Sequence, residues 1–271
     1  MTDYRLLVLD LDGTLTNSKK EISPRNLDTL IRLQEQGVKL VLASGRPTYG
    51  IAPLADQLQM ERFGGFILSF NGGEIIDWST KNMLYSQQLP DEVIPILHEA
   101  SVTYHHPILS YDGVHILTEE PLNDHVRKEA FINKMKVRRV VNFLTETPRP
   151  LPKCLIVGDP DELIETEAEL SLRLQGIISV YRSEPYFLEL VPLGIDKARS
   201  LAALLEHLGL TREQMVCMGD GYNDQTMIEF AGMGVAMANA QEPVRKVADY
   251  VTCSNDEDGV AEAVEHLFFG K

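Results

Sequence analysis

Four short stretches of this 271-residue chain gather side chains whose types and spacing suit chemistry on a phosphate ester. Asp10-Leu11-Asp12-Gly13-Thr14 sets two carboxylates two residues apart, in a turn loosened by the glycine. Ser44-Gly45-Arg46 joins a hydroxyl, an accessible N–H and a guanidinium, and Lys197 adds an ammonium. Gly219-Asp220-Gly221-Tyr222-Asn223-Asp224 supplies two more carboxylates and an amide. Hydrolysis of a phosphate ester needs an in-line nucleophile, neutralisation of the equatorial oxygens and a proton for the leaving group. Asp10 can serve as a carboxylate nucleophile, giving a phosphoaspartate that water then hydrolyses. Asp12 can protonate the leaving alcohol and afterwards deprotonate the water. Carboxylates converging on one site repel one another, so the set calls for a hard divalent cation, and Mg²⁺ suits oxygen ligands.

A phosphate held at Asp10 has several donors within the same stretches. Ser44 offers its hydroxyl, Gly45 and Leu11 their backbone N–H groups, Lys197 a point charge and Asn223 an amide. Asp224 is suited to orient Lys197 or Ser44 rather than to touch metal, and Arg46 to contact either the phosphate or the leaving group. Singly each stretch is weak: Asp-x-Asp-Gly-Thr can be a surface turn, and most lone lysines are solvated. An EF-hand is excluded because its glycine falls at loop position 6, whereas Gly13 follows Asp12 directly.

The elements that must position these residues follow from the apolar pattern. Leu6-Leu7-Val8-Leu9 is a continuous apolar run ending at Asp10, as in a strand buried on both faces of a parallel sheet. Ser23-Pro24 opens a helix carried by Leu27, Leu30, Ile31 and Leu33 and closed by Gly37. Val38–Ala43 reads as the strand before Ser44, Gly50–Met60 as a helix, and Phe66–Phe70 as a strand before the turn Asn71-Gly72. Later, Asp196–Leu208 reads as a helix, Met215–Met218 as a strand, Asn223–Ala231 as a helix, Val235–Met237 and Tyr250–Thr252 as strands, and Asp258–Phe269 as a final helix. This alternation predicts a doubly wound, Rossmann-like α/β core with a parallel sheet, and each motif then sits where such sheets bind ligands. The stretch between differs: it holds most of the prolines, His98, His105, His106, His115 and His125, and alternating segments such as Val140–Leu144. It predicts an inserted α+β cap domain over 84–189, with the core built from 1–83 and 190–271.

The four motifs, in this order and with the insertion between the second and third, resemble those of the haloacid dehalogenase superfamily, and the insertion resembles its Cof-type sugar-phosphate phosphatases. The resemblance spans nearly the whole chain, including Pro185–Leu190 on the return from the insertion; one mild departure is Ala198 after Lys197, where glycine is common. It implies a Mg²⁺ held by the side chains of Asp10 and Asp220 and the backbone carbonyl of Asp12, and a place for Asn71 near the site mouth, where it can touch substrate. The implied activity is hydrolysis of small phosphorylated metabolites, sugar phosphates foremost, with the insertion as a lid. Two alternatives use the same residues: a phosphomutase working through the same phosphoaspartate, and a non-catalytic Mg²⁺/phosphate-binding protein. A dehalogenase has no use for the acid at Asp12 or for Mg²⁺.

Composition narrows the partners. A net charge of −15 disfavours nucleic acid and anionic membranes, and no apolar run reaches the length of a membrane span. The basic run Lys134–Arg139 alternates with apolar residues and reads as a solvated strand face; His105, His106 and His115 lack metal-ligand spacing. The start of the chain does not resemble a signal peptide, and Cys154, Cys217 and Cys253 form neither a disulfide framework nor a zinc pattern, which fits a reducing cytoplasm. Cys217, inside the strand before Asp220, is expected to be an inert buried thiol. A monomer or small homo-oligomer is expected.

Overall fold

In the computed structural model, which describes residues 4–270, the run Leu6–Leu9 forms strand β1 with all four side chains buried. A run apolar at every position has no solvent face to offer, and β1 accordingly lies inside its sheet, between two other strands. Ser23 accepts from the Asn26 N–H to cap helix α1 (Pro24–Glu35), with Pro24 at the first helical position. Then come β2 (Lys39–Ala43), α2 (Thr48–Gln57), α3 (Met60–Phe63), β3 (Phe66–Ser69), β4 (Glu74–Asp77) and β5 (Met83–Ser86). The middle of the chain forms α4 (Ile94–Thr103), β6 (Ile108–Tyr111), β7 (His115–Thr118), α5 (Asp124–Asn133), β8 (Lys136–Arg139), α6 (Phe143–Glu146), β9 (Cys154–Val157), α7 (Leu163–Arg173), β10 (Ile178–Glu184) and β11 (Phe187–Pro192). It closes with α8 (Lys197–Leu208), β12 (Met215–Gly219), α9 (Gln225–Phe230), β13 (Met233–Ala236), α10 (Glu242–Val247), β14 (Tyr250–Val251) and α11 (Gly259–Phe269).

These elements make two compact units, one taking the chain up to Tyr85 and again from Asp196, the other running Ser86–Ile195. The first unit's sheet has the order β14-β13-β12-β1-β2-β3-β4-β5. Its strands from β14 to β3 run parallel, and β4 is antiparallel to β3. From β1 the chain steps outward through β2 and β3, then returns to build β12, β13 and β14 on the other side. This is a doubly wound α/β sheet of the Rossmann-like kind, with its topological switch beside β1. The inserted unit is α+β: a sheet ordered β10-β11-β9-β6-β7-β8, antiparallel except for β7 against β8. Its core gathers Phe143, Leu97, Leu163, Leu170 and Ile156, with α4 packed against α6 and α7.

Three local expectations need correction. The helix expected over Gly50–Met60 is two helices, broken where Gln59 takes a left-handed φ of 54°. Leu58 and Met60 are both fully buried, and two residues apart on one helix they would point to opposite faces; the break lets both enter the core. The alternating segment Val140–Leu144 forms no strand and leads into α6. Asn142 accepts from the Thr145 N–H and starts α6, while Glu146 accepts from the Val141 and Asn142 N–H groups. The helix expected over Asn223–Ala231 opens with a tighter 3₁₀ turn, Tyr222–Asp224, before α9. The basic run does form β8, with Lys136, Arg138 and Arg139 exposed at the sheet edge. Cys217 lies fully buried in β12, and burial pushes its thiol far up, so it stays protonated.

Phe143 is a large side chain with no exposed surface in the inserted unit's core. Phe143→Ala is expected to cost about 3–5 kcal/mol of that unit's stability, read from its urea midpoint; a loss below about 1 kcal/mol would contradict this packing.

Candidate active site

The parallel strands bring their carboxyl ends to one edge, and the motif residues lie there. Asp10 follows β1 directly, and its N–H donates to the Met218 carbonyl of β12 at 3.0 Å. Ser44 follows β2 and Asp220 follows β12. Asn71 comes two residues after β3, in a left-handed conformation with φ 56°. Lys197 is the first residue of α8, whose N-cap Asp196 accepts from the Arg199 N–H.

Lys197 is buried, and its ammonium has three acceptors: Asp10 Oδ1 at 2.8 Å, Asp224 Oδ1 at 2.6 Å and the Ala43 carbonyl at 3.0 Å. Burial works to lower its pKa, but the charges of Asp10 and Asp224 outweigh that and raise it, so the ammonium is permanent. The other oxygen of Asp224 accepts from the N–H groups of Asp220 (3.0 Å) and Gly221 (2.9 Å). Asp224 is therefore spent on holding Lys197 and shaping the Asp220 loop.

Asp220 Oδ1 accepts from the Thr14 hydroxyl at 2.8 Å, which joins the loops after β12 and β1. Gly13 makes this approach possible: its φ is +91°, and a Cβ there would lie 2.3 Å from Asp220 Oδ2. Oxygens of Asp10, Asp220 and Asp224 lie within 4.8 Å of one another, the one such cluster of metal-capable side chains among the described residues. With Asp224 engaged as described, Asp10 and Asp220 are the carboxylates able to hold a hard cation. The strain of gathering them shows in their protonation. Burial, then the charge of Asp224, raises the Asp10 carboxyl well above its usual range despite Lys197. Burial likewise pushes Asp220 up to about 6, against the Thr14 hydrogen bond. A bound divalent cation would offset the repulsion that such a site gathers.

Asp12 has the opposite environment. Arg46 grips it with Nε to Oδ2 at 2.8 Å and Nη2 to Oδ1 at 2.6 Å, and Lys20 Nζ reaches Oδ1 at 2.8 Å. Burial works to raise the Asp12 carboxyl, but Arg46 and then Lys20 together bring it below its usual value. Arg46, expected to contact phosphate or leaving group, forms a bidentate pair with Asp12. Ser44 is buried, its hydroxyl accepting from the Arg46 N–H at 3.2 Å. The Asn223 amide donates to Asn71 Oδ1 at 3.0 Å, and Asn71 packs against Gly45, where a Cβ would come within 3.1 Å of its Nδ2. Leu11 is buried on the turn between Asp10 and Asp12. Asp10, Asp12, Ser44, Gly45, Arg46, Asn71, Lys197, Asp220, Asn223 and Asp224 therefore share one edge of one sheet. Sequence reasoning passed over Lys20 and Thr14. Thr14 stood inside its motif and was readable from that; Lys20, in a loop with φ 62°, carried no signal.

Residues 7–264 match the family model of the haloacid dehalogenase-like hydrolases, and the chain belongs to that family. A haloacid dehalogenase-like hydrolase from Bacteroides thetaiotaomicron superposes with a TM-score of 0.96 at 66% identity, over 98% of this chain and 100% of that one. A sugar phosphatase of haloacid dehalogenase subclass IIB superposes with a TM-score of 0.80 at 26% identity, over 98% and 99% of the two chains. The 5-amino-6-(5-phospho-D-ribitylamino)uracil phosphatase YcsE of Bacillus subtilis is 31% identical over 264 residues, 97% of this chain and 96% of that protein. Within the family, the chain is a phosphoric monoester hydrolase. The resemblance carried by the four motifs is correct. No helix among the described residues is long and apolar enough to cross a membrane.

The raised pKa of Asp220 has a consequence for the metal-free protein. A carboxyl whose folded pKa of about 6 exceeds its unfolded value of 3.8 makes no difference to stability below pH 4. As pH rises from the unfolded value toward 6 it increasingly destabilises the fold, fully above 6, because ionisation is harder there than in the unfolded chain. Asp220→Asn keeps the acceptor for Thr14 and removes the charge. In chelator at pH 8 its Tm is expected to exceed that of the natural protein by about 3 °C, from about 1 kcal/mol after solvent screening. The gain is expected to vanish at pH 4; an equal gain at both values would contradict the assignment.

Proposed function

We propose that this protein is a Mg²⁺-dependent phosphatase of small phosphorylated metabolites, sugar phosphates foremost, acting through a phosphoaspartate on Asp10. The observation that carries this is the buried Lys197 bound to one oxygen of Asp10 at 2.8 Å, with Asp220 close by. That hydrogen bond takes Oδ1 and orients the carboxylate, so Oδ2 is the atom that attacks phosphorus as the ester oxygen departs. The side chains of Asp10 and Asp220 and the backbone carbonyl of Asp12 would hold Mg²⁺, which when bound would supply charge neutralisation for the transferring group. The Ser44 hydroxyl and the N–H groups of Leu11 and Gly45 receive the remaining phosphate oxygens, with the Asn223 amide at the rim, while Lys197, its protons already engaged, contributes its positive charge.

Asp12 serves both half-reactions. It gives a proton to the leaving oxygen, then takes one from the water that opens the phosphoaspartate. The ionised form held by Arg46 and Lys20 is the one the second half needs. The first half requires Asp12 to be loosened from these cations and to take up a proton from solvent as substrate enters, which gives Arg46 and Asn71 a place against the leaving group. We read the inserted unit as a cap domain of the family's kind. The names of two relatives, a sugar phosphatase and a phosphatase of a phosphoribitylamino compound, support a small phosphorylated polyol or sugar as substrate. We place the enzyme in the cytoplasm.

Release of inorganic phosphate from p-nitrophenyl phosphate tests the mechanism. Asp10→Asn is expected to lower kcat at least about a thousandfold, as for removal of a covalent nucleophile. Asp12→Asn should lower it about 10²–10⁴-fold with KM little changed. Lys197→Ala, which leaves Asp10 and Asp224 facing each other unpaired, should weaken both turnover and binding. Full activity in EDTA, or in Asp10→Asn, would sink the proposal; a panel of sugar phosphates would then rank substrates.

A further inference from the structure

The loop that carries Asp12 is also held through its backbone carbonyls. Between β1 and α1 the chain folds on itself, Asp12 bridging Thr16 and Thr16 bridging Ile22. Asn239, on the turn after β13, donates its Nδ2 to the Gly13 carbonyl at 2.8 Å, while its Oδ1 accepts from the Asn255 N–H at 3.0 Å. Asn255 in turn donates its Nδ2 to the Thr16 carbonyl at 2.9 Å. Two asparagines from separate loops thus grip carbonyls three residues apart and are fastened to each other. The turn bearing Asn239 is tied to the metal side as well, since the Gln241 N–H donates to the Asp220 carbonyl at 2.9 Å. Farther out, Asp256 accepts from the Ser18 N–H at 2.8 Å and the Ser18 hydroxyl at 2.6 Å.

We propose that Asn239 and Asn255 are positioning residues: through Gly13 and Thr16 they set where Asp12 stands relative to Asp10 and Asp220. This rests on the reading of Asp12 as acid and base with its carbonyl toward the metal. An amide side chain is suited to the task because it presents one donor and one acceptor in a fixed plane. Asn239 uses both at once, which neither aspartate nor leucine can do. Neither asparagine touches a carboxylate in the site, so each acts through the backbone of the loop. A displacement of about 1 Å in a catalytic group costs about a hundredfold in rate, and loosening this bracket acts on that scale.

The test compares Asn239→Leu and Asn255→Leu with Asn26→Ala in the full-length protein. Asn26 is buried and accepts from the Ala261 N–H at 2.9 Å, joining α1 to α11 rather than gripping a carbonyl of the loop. Measured are Tm, kcat and KM on p-nitrophenyl phosphate, and the dissociation constant of Mg²⁺ by calorimetry. Both leucine variants are expected to lose about 10- to 100-fold in kcat, with KM within about threefold, and to bind Mg²⁺ about 3- to 10-fold more weakly. Asn26→Ala is expected to lose Tm with kcat and Mg²⁺ affinity unchanged. Asn239→Asp, which keeps the acceptor for Asn255 and lacks the donor for Gly13, should match Asn239→Leu in kcat. Leucine variants that match Asn26→Ala in kcat and Mg²⁺ affinity overturn the proposal. If Asn239→Leu does not fold, Asn255→Leu decides alone. If the natural protein itself releases no phosphate, the functional reading fails, while the Mg²⁺ constants still judge the bracket.

Discussion

The ammonium of Lys197 is enclosed by protein, and its three protons meet three acceptors drawn from different parts of the first unit. Ala43 closes β2, Asp10 follows β1, and Asp224 belongs to the loop after β12. One charged group at the start of α8 therefore ties three neighbouring strand ends together. An ammonium can stay buried and charged only because two carboxylates offset its desolvation, and each carboxylate tolerates burial because the ammonium is there. The rest of the site inherits this arrangement. Asp224, fixed by Lys197, uses its second oxygen to hold the N–H groups of Asp220 and Gly221. Asp220, so placed, meets Thr14 and closes back onto the loop that began at Asp10.

The site concentrates charge without resolving it. Four aspartates face three cations, Lys197, Arg46 and Lys20, and each cation is already taken by an aspartate. On a chain of net charge −15 this offers an anion little general attraction. Attraction has to be local, and it divides by environment. Around Asp10 and Asp220 burial dominates and proton affinity is raised; around Asp12 the two cations dominate and it is lowered. Carboxylates a few residues apart thus differ in character, as a reaction that uses one as nucleophile and another as proton carrier demands.

Much of this was legible in the sequence. Leu6–Leu9 and Met215–Met218 are apolar at every position, which only a strand covered on both faces can use, and each ends at a residue of the site. The order of the four motifs then fixed which strand ends must meet. What escaped was decided by contacts between distant loops. Lys20 reaches Asp12 from an irregular turn, and the asparagines at 239 and 255 lie in segments with no periodicity, their partners being backbone carbonyls that no side-chain pattern records. The break at Gln59 was hidden for a related reason: helix propensity ran through it, and only the need to bury both Leu58 and Met60 stops the helix. The pairing of Arg46 with Asp12 was illegible because either a substrate oxygen or a carboxylate satisfies the same guanidinium.

The register of β1 against β12, with Leu6 opposite Met215 and Leu9 opposite Met218, joins segments from the two sides of the insertion. The inserted unit's sheet, by contrast, is made of strands that all fall within its own span. A ribosome therefore delivers the Asp10 loop first and its partners last: β1 lacks one of its two neighbours until Met218 has emerged, and Lys197 lacks Asp224 for longer still. The insertion has every strand it needs well before that. Contacts of such long range form slowly once available, since a large loop must close to make them. Competence is thus deferred until the segment carrying Asp220 and Asp224 has been made, and a chain released before it carries the nucleophile without the means to use it.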